Sequence, residues 1–260
     1  MKICFLIIAT NKYIQFVEPL IQSIEQYALV EHDRHYLVFT DQQTNFDNPR
    51  IHVERITHQP WPAPSLMRYH YFLQKKDWIE GHDYCFYIDA DMRVVAPVAE
   101  EILGDIVAVL HPGFWKKKRK KFTYERNPLS TAYVPPEKGT RYYCGGVQGG
   151  KSKCYMVVAR AIADAVDIDT SNGIVAKWHD ESHWNRYLSD YPPTLVMSPS
   201  YCYPDCAIKN TKQWELQDLP PLVLALSKDH SDMRDVPVTM TETLKKIKHK
   251  IFLGVKKLLF

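Results

Sequence analysis

A short apolar run that ends in two carboxylates constrains this chain more than any other stretch: Tyr84-Cys85-Phe86-Tyr87-Ile88 is followed at once by Asp89-Ala90-Asp91. Aromatic residues packed that densely into five positions read as a buried strand. In an open α/β sheet such a strand is covered on both faces, and ligands bind in the crevice beyond its carboxyl end. Asp89 and Asp91 would stand at that crevice. Two oxygen-bearing side chains one residue apart can hold a hard divalent cation, which in turn neutralises a diphosphate. The plainer alternative is a strand that stops in an acidic, solvated turn.

Around that stretch the chain alternates strand and helix. Lys2 to Ala9 reads as a buried strand, Ile14 to Leu29 as an amphipathic helix, and His35 to Thr40 as a second strand closing at Asp41. Strand, helix, strand suggests a parallel unit. The turn Ala9-Thr10-Asn11-Lys12-Tyr13 lies at the same sheet end as the two aspartates, and Tyr13 could stack there on a base. It has no GxGxxG, which argues against an ordinary dinucleotide fold. The proline-rich stretch Gln59 to Pro64 breaks the chain before a loose helical stripe from Ser65 to Glu80, with Arg68 near its start. Beyond Asp91, Val94 to Ala96 and Ile106 to Leu110 read as strands, Cys154 to Val166 as a helix, Thr194 to Met197 as a strand, and Tyr201 to Trp214 as an aromatic-rich loop. His111 to Lys138 is a long irregular excursion. Loops of that length are usually functional or mobile.

With 260 residues, 45% of them apolar, the chain can bury a large core and is expected to form one elaborated domain. The net charge of +3 is small, and basic residues gather in two places, Lys116 to Lys121 and Lys245 to Lys257. That balance favours local anion contacts over a nucleic-acid footprint. The first basic run reads more readily as a solvated loop face than as a phosphate site. Six cysteines are scattered without a CxxC pair, which fits a reducing cytoplasm. The apolar run Ile3 to Ala9 is short and lacks a cleavage site, so it reads as a strand and not a signal peptide, and nothing later is long enough to span a bilayer.

Two local patterns compete for the chemistry. Gly145-Gly146-Val147-Gln148-Gly149-Gly150-Lys151-Ser152 fits GxxxxGK[ST], whose backbone amides cradle phosphates in a P-loop NTPase. However, Arg141-Tyr142-Tyr143-Cys144 is a poor buried strand to precede such a loop, and the acidic strand comes before it instead of after. Glycines here can equally let the backbone approach a sugar. In Trp178-His179-Asp180-Glu181-Ser182-His183 the two histidines are spaced as in zinc proteases, but Asp180 stands where HExxH requires glutamate. What remains is a carboxylate pair opening a helix beside an indole, which suits a sugar. Acidic residues are also favoured at a helix N-terminus for electrostatic reasons alone.

Taken together the residues resemble glycosyltransferase family 6, which includes the histo-blood-group A and B transferases and the α1,3-galactosyltransferases. The likeness runs from Ile8 to Arg234, through Ile8-Ala9-Thr10-Asn11-Lys12-Tyr13, Phe39-Thr40-Asp41, Ser65-Leu66-Met67-Arg68, Asp89-Ala90-Asp91, His111-Pro112-Gly113-Phe114, Phe122-Thr123-Tyr124-Glu125-Arg126, Tyr142 to Gly150, Trp178 to His183, and Ser198-Pro199. It implies an α/β chain with a GT-A glycosyltransferase fold: a single Rossmann-like nucleotide-sugar-binding domain with a mixed central sheet, over residues 1–234. It further implies retaining transfer of N-acetylgalactosamine or galactose from a UDP-sugar, in α1,3 linkage, to a galactoside acceptor. That acceptor, fucosylated or not, would belong to a surface glycan or lipooligosaccharide. A P-loop NTPase and a non-catalytic carbohydrate-binding protein are the alternatives.

By position, the resemblance implies that Ala9 and Tyr13 hold the uridine, Arg68 contacts the donor, and Asp89 and Asp91 form a DXD pair for manganese, or magnesium in its place. Asp91 would bind the metal directly. Cys144, Gly145 and Gly146 would border the donor sugar, where a glycine at 146 accompanies N-acetylgalactosamine in the blood-group enzymes. His111, Phe114, Thr123 and Trp178 would line the acceptor site. Asp180 and Glu181 would face the reacting carbon, with Glu181 also reaching the acceptor. Lys228 and Arg234 match a basic pair that closes on the diphosphate. Bacterial relatives often replace the DXD with an asparagine pair and dispense with metal, whereas this chain keeps both aspartates. It also begins directly at the catalytic fold, so a bacterial-type cytoplasmic protein is expected. Residues 235–260 lie beyond the resemblance. Leu244, Ile247, Ile251, Val255, Leu258 and Leu259 fall there at near-helical spacing among six lysines. Such a basic amphipathic helix could lie peripherally on the inner face of a membrane or pack on the catalytic domain, with Gly254 interrupting it.

Overall fold

Alternate residues of β1 (Lys2–Ile8) feed two different cores: Ile3, Phe5 and Ile7 join one, while Cys4 and Leu6 join the other. Burial on both faces is the mark of a central parallel strand. The structure, a computed structural model, describes residues 1–229 and 232–233. The chain divides after Ser227 into two units, Met1–Ser227 and Lys228–Phe260.

In the first unit, β1 pairs in parallel with β2 (Asp33–Thr40) on one side and with β4 (Tyr84–Ile88) on the other, and β3 (Ile51–Arg55) extends the sheet beyond β2. β7 (Tyr143–Lys151) lies antiparallel between β4 and β6 (Ile106–Leu110), and β8 (Leu195–Met197) closes the edge. The order β3-β2-β1-β4-β7-β6-β8 is thus a mixed seven-stranded sheet, as expected. One face is covered by α1 (Val17–Tyr27) through Val17, Leu20, Ile21 and Ile24. The other is covered by α3 (Arg68–Gln74), α5 (Ser152–Ser171) and α6 (His179–Asp190), whose Phe72, Tyr155 and Trp184 are fully buried. Burying side chains of that size stabilises by about 2–3 kcal/mol each before entropy is counted. A three-stranded sheet, β5 (Met92–Val94), β10 (Val223–Ala225) and β9 (Tyr203–Pro204), flanks the first core, with α7 (Thr211–Trp214) nearby in sequence.

Several local expectations need correction. Helix α1 is shorter than Ile14 to Leu29, because Asn11–Phe16 winds as a 3-10 helix and Ala28 is extended. Ser65 to Glu80 is not one stripe: α2 (Ala63–Leu66), α3 and α4 (Lys76–Glu80) are separated at Met67 and Lys75. Strand β3 carries no strong apolar signal because it is a half-exposed edge. Helix α5 runs longer than Cys154 to Val166, and the expected strand at Val94 to Ala96 falls earlier, as β5.

The glycine-rich pattern is a strand and not a phosphate loop. Residues 145–151 all belong to β7, and Ser152 opens α5 directly. A side chain at Gly149 would place its Cβ 2.3 Å from the Cys85 carbonyl, and one at Gly150, whose φ is 146°, would fall 2.1 Å from the Asp105 carbonyl. These glycines let β7 fit between β4 and β6. The P-loop alternative loses its loop.

In the second unit only Lys228, Asp229, Asp232 and Met233 are described, and the Met233 N–H donates to the Asp229 carbonyl at 3.0 Å. Arg234 and the amphipathic stripe of residues 235–260 lie outside the described residues. Among those that are described, no helix is long and apolar enough to cross a membrane.

Candidate active site

The parallel register Leu6↔Tyr87 carries the ends of β1 and β4 to the same level, so Ala9 emerges beside Ala90 at one edge of the sheet. Ala9 is fully buried, and its N–H donates to the Phe39 carbonyl at 2.8 Å. Asn11 then turns out of the sheet, its N–H bonded to the Asp41 carboxylate at 2.8 Å, and half-buried Tyr13 rests its ring near Phe16. Antiparallel β7 delivers Cys144, Gly145 and Gly146 to this edge, where the Asp89 N–H meets the Gly146 carbonyl at 2.8 Å.

Arg68 is the hub of this edge. It is buried to 4% exposure at the start of α3, and its guanidinium lies 3.8 Å above the Tyr87 ring. One terminal nitrogen donates to the Gly145 carbonyl at 2.5 Å and lies 2.9 Å from Asp180; the other lies 3.4 Å from Asp89. Tyr87, two residues before Asp89 and therefore on the same face of the chain, donates its hydroxyl to that aspartate. Burial raises Asp180 to about 7 despite the opposing pull of Arg68.

Glu181 is fixed from two sides: one oxygen accepts the Gly145 N–H at 2.8 Å, the other the Tyr142 hydroxyl at 2.9 Å. Burial lifts it too, to about 7, while those two hydrogen bonds oppose the shift. Helix α6 is tied to β7 through Asn185, whose amide donates to the Tyr143 carbonyl at 2.8 Å and accepts the Tyr143 N–H at 2.9 Å. It is entered through His179 at a φ of 51°, a conformation that costs a non-glycine residue roughly 1–2 kcal/mol. Gln148 completes the scaffold, donating to the Gly145 carbonyl and accepting from Tyr69 and Tyr155.

On the other side of Tyr142 lie the expected acceptor residues. The Phe114 ring is 4.6 Å and the His111 ring 5.7 Å from that of Tyr142, and the Thr123 side chain bonds the same tyrosine. Burial holds His111 neutral, down to about 4. Its Nδ1 accepts the Gly113 N–H at 3.0 Å, so the proton sits on Nε2, the nitrogen able to donate to a hydroxyl. Trp178, just before α6, is 47% exposed. The structure therefore joins Arg68, Asp89, Gly145, Asp180 and Glu181 in one network and links it through Tyr142 to His111, Phe114 and Thr123. Lys228 lies in the second unit, and Arg234 is not described.

Asp89 and Asp91 fit a divalent cation as a pair of hard oxygen donors at the end of β4. Among the described residues no group of three or more metal-ligating side chains gathers anywhere. A site of this kind would have to complete its coordination with diphosphate oxygens and water, as magnesium sites commonly do.

Sequence reasoning missed Tyr87, Tyr142 as a ligand of Glu181, Asn185 and Glu125. The strand alternation from Tyr87 to Asp89 and the helical spacing from Glu181 to Asn185 were the available signals. Glu125 links two segments of the chain: it accepts the N–H groups of Arg126 at 2.7 Å, Asn127 at 2.8 Å and Lys177 at 2.6 Å. Glu125→Ala is expected to cost about 2–4 kcal/mol in denaturant unfolding, because three N–H groups lose their acceptor together. An unchanged midpoint would show that water replaces the carboxylate.

Gly146 is hemmed in by Asp89 and Met92. A Cβ there would lie 2.8 Å from an Asp89 carboxylate oxygen and 2.7 Å from the Met92 methyl. Gly146→Ala should therefore lower turnover with every donor by displacing Asp89. Steady-state rates showing an undiminished enzyme with switched donor preference would assign the glycine to pocket volume alone.

An acidic pair beyond a central strand, a buried arginine and a carboxylate pair on a facing helix thus gather at one edge of the sheet. The chain belongs to glycosyltransferase family 6, whose model matches residues 1–234. It is 35% identical over 206 residues to the Histo-blood group ABO system transferase 1 of Rattus norvegicus, covering 76% of this chain and 59% of that protein. It is 33% identical over 208 residues to the Globoside alpha-1,3-N-acetylgalactosaminyltransferase 1 of Homo sapiens, over 76% and 60% of the two chains. The O-antigen biosynthesis glycosyltransferase WbnI of Escherichia coli is 29% identical over 202 residues, covering 76% of this chain and 86% of that one. The match thus spans about 60% of the length of the mammalian relatives.

Proposed function

We propose that this chain, on a GT-A-type fold, transfers N-acetylgalactosamine, or galactose, from a UDP-sugar to a galactoside with retention, forming an α1,3 linkage. The observation that carries the reading is the network in which Arg68 bridges Asp89 and Asp180 while Gly145 and Tyr142 fix Glu181. In transfer, the bond from the anomeric carbon to the diphosphate oxygen breaks, a bond to the acceptor hydroxyl oxygen forms, and the proton of that hydroxyl passes to the departing diphosphate. Glu181 stabilises the positive charge that develops on the sugar, or attacks its anomeric carbon. Arg68 orients Asp180 and Asp89 at the donor. His111 donates from Nε2 to the acceptor, and Tyr142 holds the boundary between the two substrates. Asp89 and Asp91 would hold manganese or magnesium, which neutralises the diphosphate leaving group when bound.

The testing experiment incubates the protein with UDP-GalNAc and UDP-Gal, with and without manganese and a panel of galactosides, and identifies the products. Transfer with retained configuration supports the proposal. Binding of glycans without hydrolysis or transfer of either donor would instead make it a carbohydrate-binding protein. Exhaustive chelation is expected to abolish most turnover, as is Asp91→Asn. Full activity in chelator would remove the metal from the mechanism.

A further inference from the structure

A cavity of about 490 Å³ is lined both by expected acceptor residues and by cations. The lining brings His111, Phe114 and Tyr142 together with Trp115, Lys116, Lys117 and Arg141. The cavity adjoins the Glu181 network through Tyr142, whose hydroxyl bonds that carboxylate. Lys116 and Lys117 open the basic run Lys116 to Lys121, which the reaction itself leaves unused.

We propose that the part of this cavity lined by Lys116, Lys117 and Arg141 is a subsite for an anionic group, a carboxylate or a phosphate, carried by the acceptor glycan beyond its terminal galactoside. The inference rests on the transferase reading and names the acceptor's chemical class. Trp115 offers an apolar face for a sugar ring, and the Lys116 ammonium lies 5.8 Å from that ring's centre. The cations divide by task. Arg119 is structural: it donates to the carbonyls of Pro135, Lys138 and Gly139 and so fixes the loop opposite. Lys116 and Lys117 are held at the cavity by Asp218, at 3.5 Å, and by Glu215. Both acidic partners are exposed, and solvent-exposed pairs of this kind are weak enough for an incoming anion to replace. Exposed Lys118, Lys120 and Lys121 follow in the same basic run, and exposed Arg141 stands in the cavity wall. A neutral glycan would leave that charge unused.

The test compares three probes with the full chain in the presence of UDP: β-galactosyl-N-acetylglucosamine, the same disaccharide bearing a reducing-end phosphate, and β-galactosyl glucuronate. Affinities are read by calorimetry or tryptophan fluorescence at low and high salt. At least one anionic probe is expected to bind about tenfold more tightly than the neutral one at low salt, with the advantage shrinking as salt rises. The triple variant Lys116→Ala, Lys117→Ala, Arg141→Ala should erase the advantage while its melting temperature and UDP affinity show that it is folded. A gain confined to the phosphate probe points to a phosphorylated carrier end. One confined to the glucuronate points to an acidic sugar, and both support the subsite. Equal binding of all three probes overturns it, as does a preference that survives in the triple variant. If anionic probes bind selectively but no sugar is transferred from either donor, the transferase reading fails and the anion site stands.

Discussion

Replacing Glu181 with glutamine is expected to lower turnover by about 10²- to 10³-fold, the loss seen when one preorganised charge-stabilising group is removed from a reaction centre. Glutamine keeps the shape and can still accept the Gly145 N–H, so UDP affinity should change little. A kcat within a factor of a few of the native value would move the role elsewhere, first to Asp180. The same variant should be more stable than the native protein at alkaline pH. The Glu181 carboxyl is lifted from 4.5 to about 7 in the fold, so the folded state holds its proton more tightly than the unfolded one. The stability this gives is fully present below pH 4.5 and lost as pH rises through 7. Above pH 7 the native protein therefore carries a burden of about 3 kcal/mol that glutamine lacks. Melting temperatures of the ligand-free proteins across pH 4.5 to 8.5 would show the difference opening as pH rises. Parallel curves would mean that water relieves the carboxylate.

The second large effect is expected at Arg68. Arg68→Ala leaves Asp180 buried without its counter-ion and frees Asp89 from one of its two side-chain partners, a loss of about 3–5 kcal/mol for a broken buried pair. For a unit of this size that lowers the melting temperature by roughly 10 °C. Arg68→Lys should recover only part of it, since one ammonium cannot reach Gly145, Asp180 and Asp89 in the fork geometry that the guanidinium supplies. Without Arg68 the Asp180 carboxyl, already lifted to about 7, rises further and stays protonated, so adding Asp180→Asn to Arg68→Ala should restore part of the stability above pH 7. Full additivity of the two substitutions would show that the pair is not coupled.

Much of the sheet was legible because its strands report their surroundings directly. Tyr84 to Ile88 is apolar at every position because both of its faces are covered, and the two aspartates mark where cover ends. The unusual runs at His111, Phe122 and Trp178 identified the family. The glycine-rich pattern misled in isolation: the pattern states that side chains are absent, and only the packing of β7 between β4 and β6 states why.

The sequence by itself determined the alternation of strand and helix, the sheet edge at which Asp89 and Asp91 emerge, and the membership of residues 1–234 in family 6. Only the tertiary structure decided that Arg68 reaches Gly145, Asp180 and Asp89 at once, that Tyr142 joins Glu181 to His111 and Phe114, and that Lys116 and Lys117 line a cavity. The reason is physical. Strand burial and turn chemistry are set by neighbours in the chain, whereas an ion pair, a hydrogen bond across β7 and α6, and a cavity arise between residues tens of positions apart, whose meeting depends on how all the layers pack.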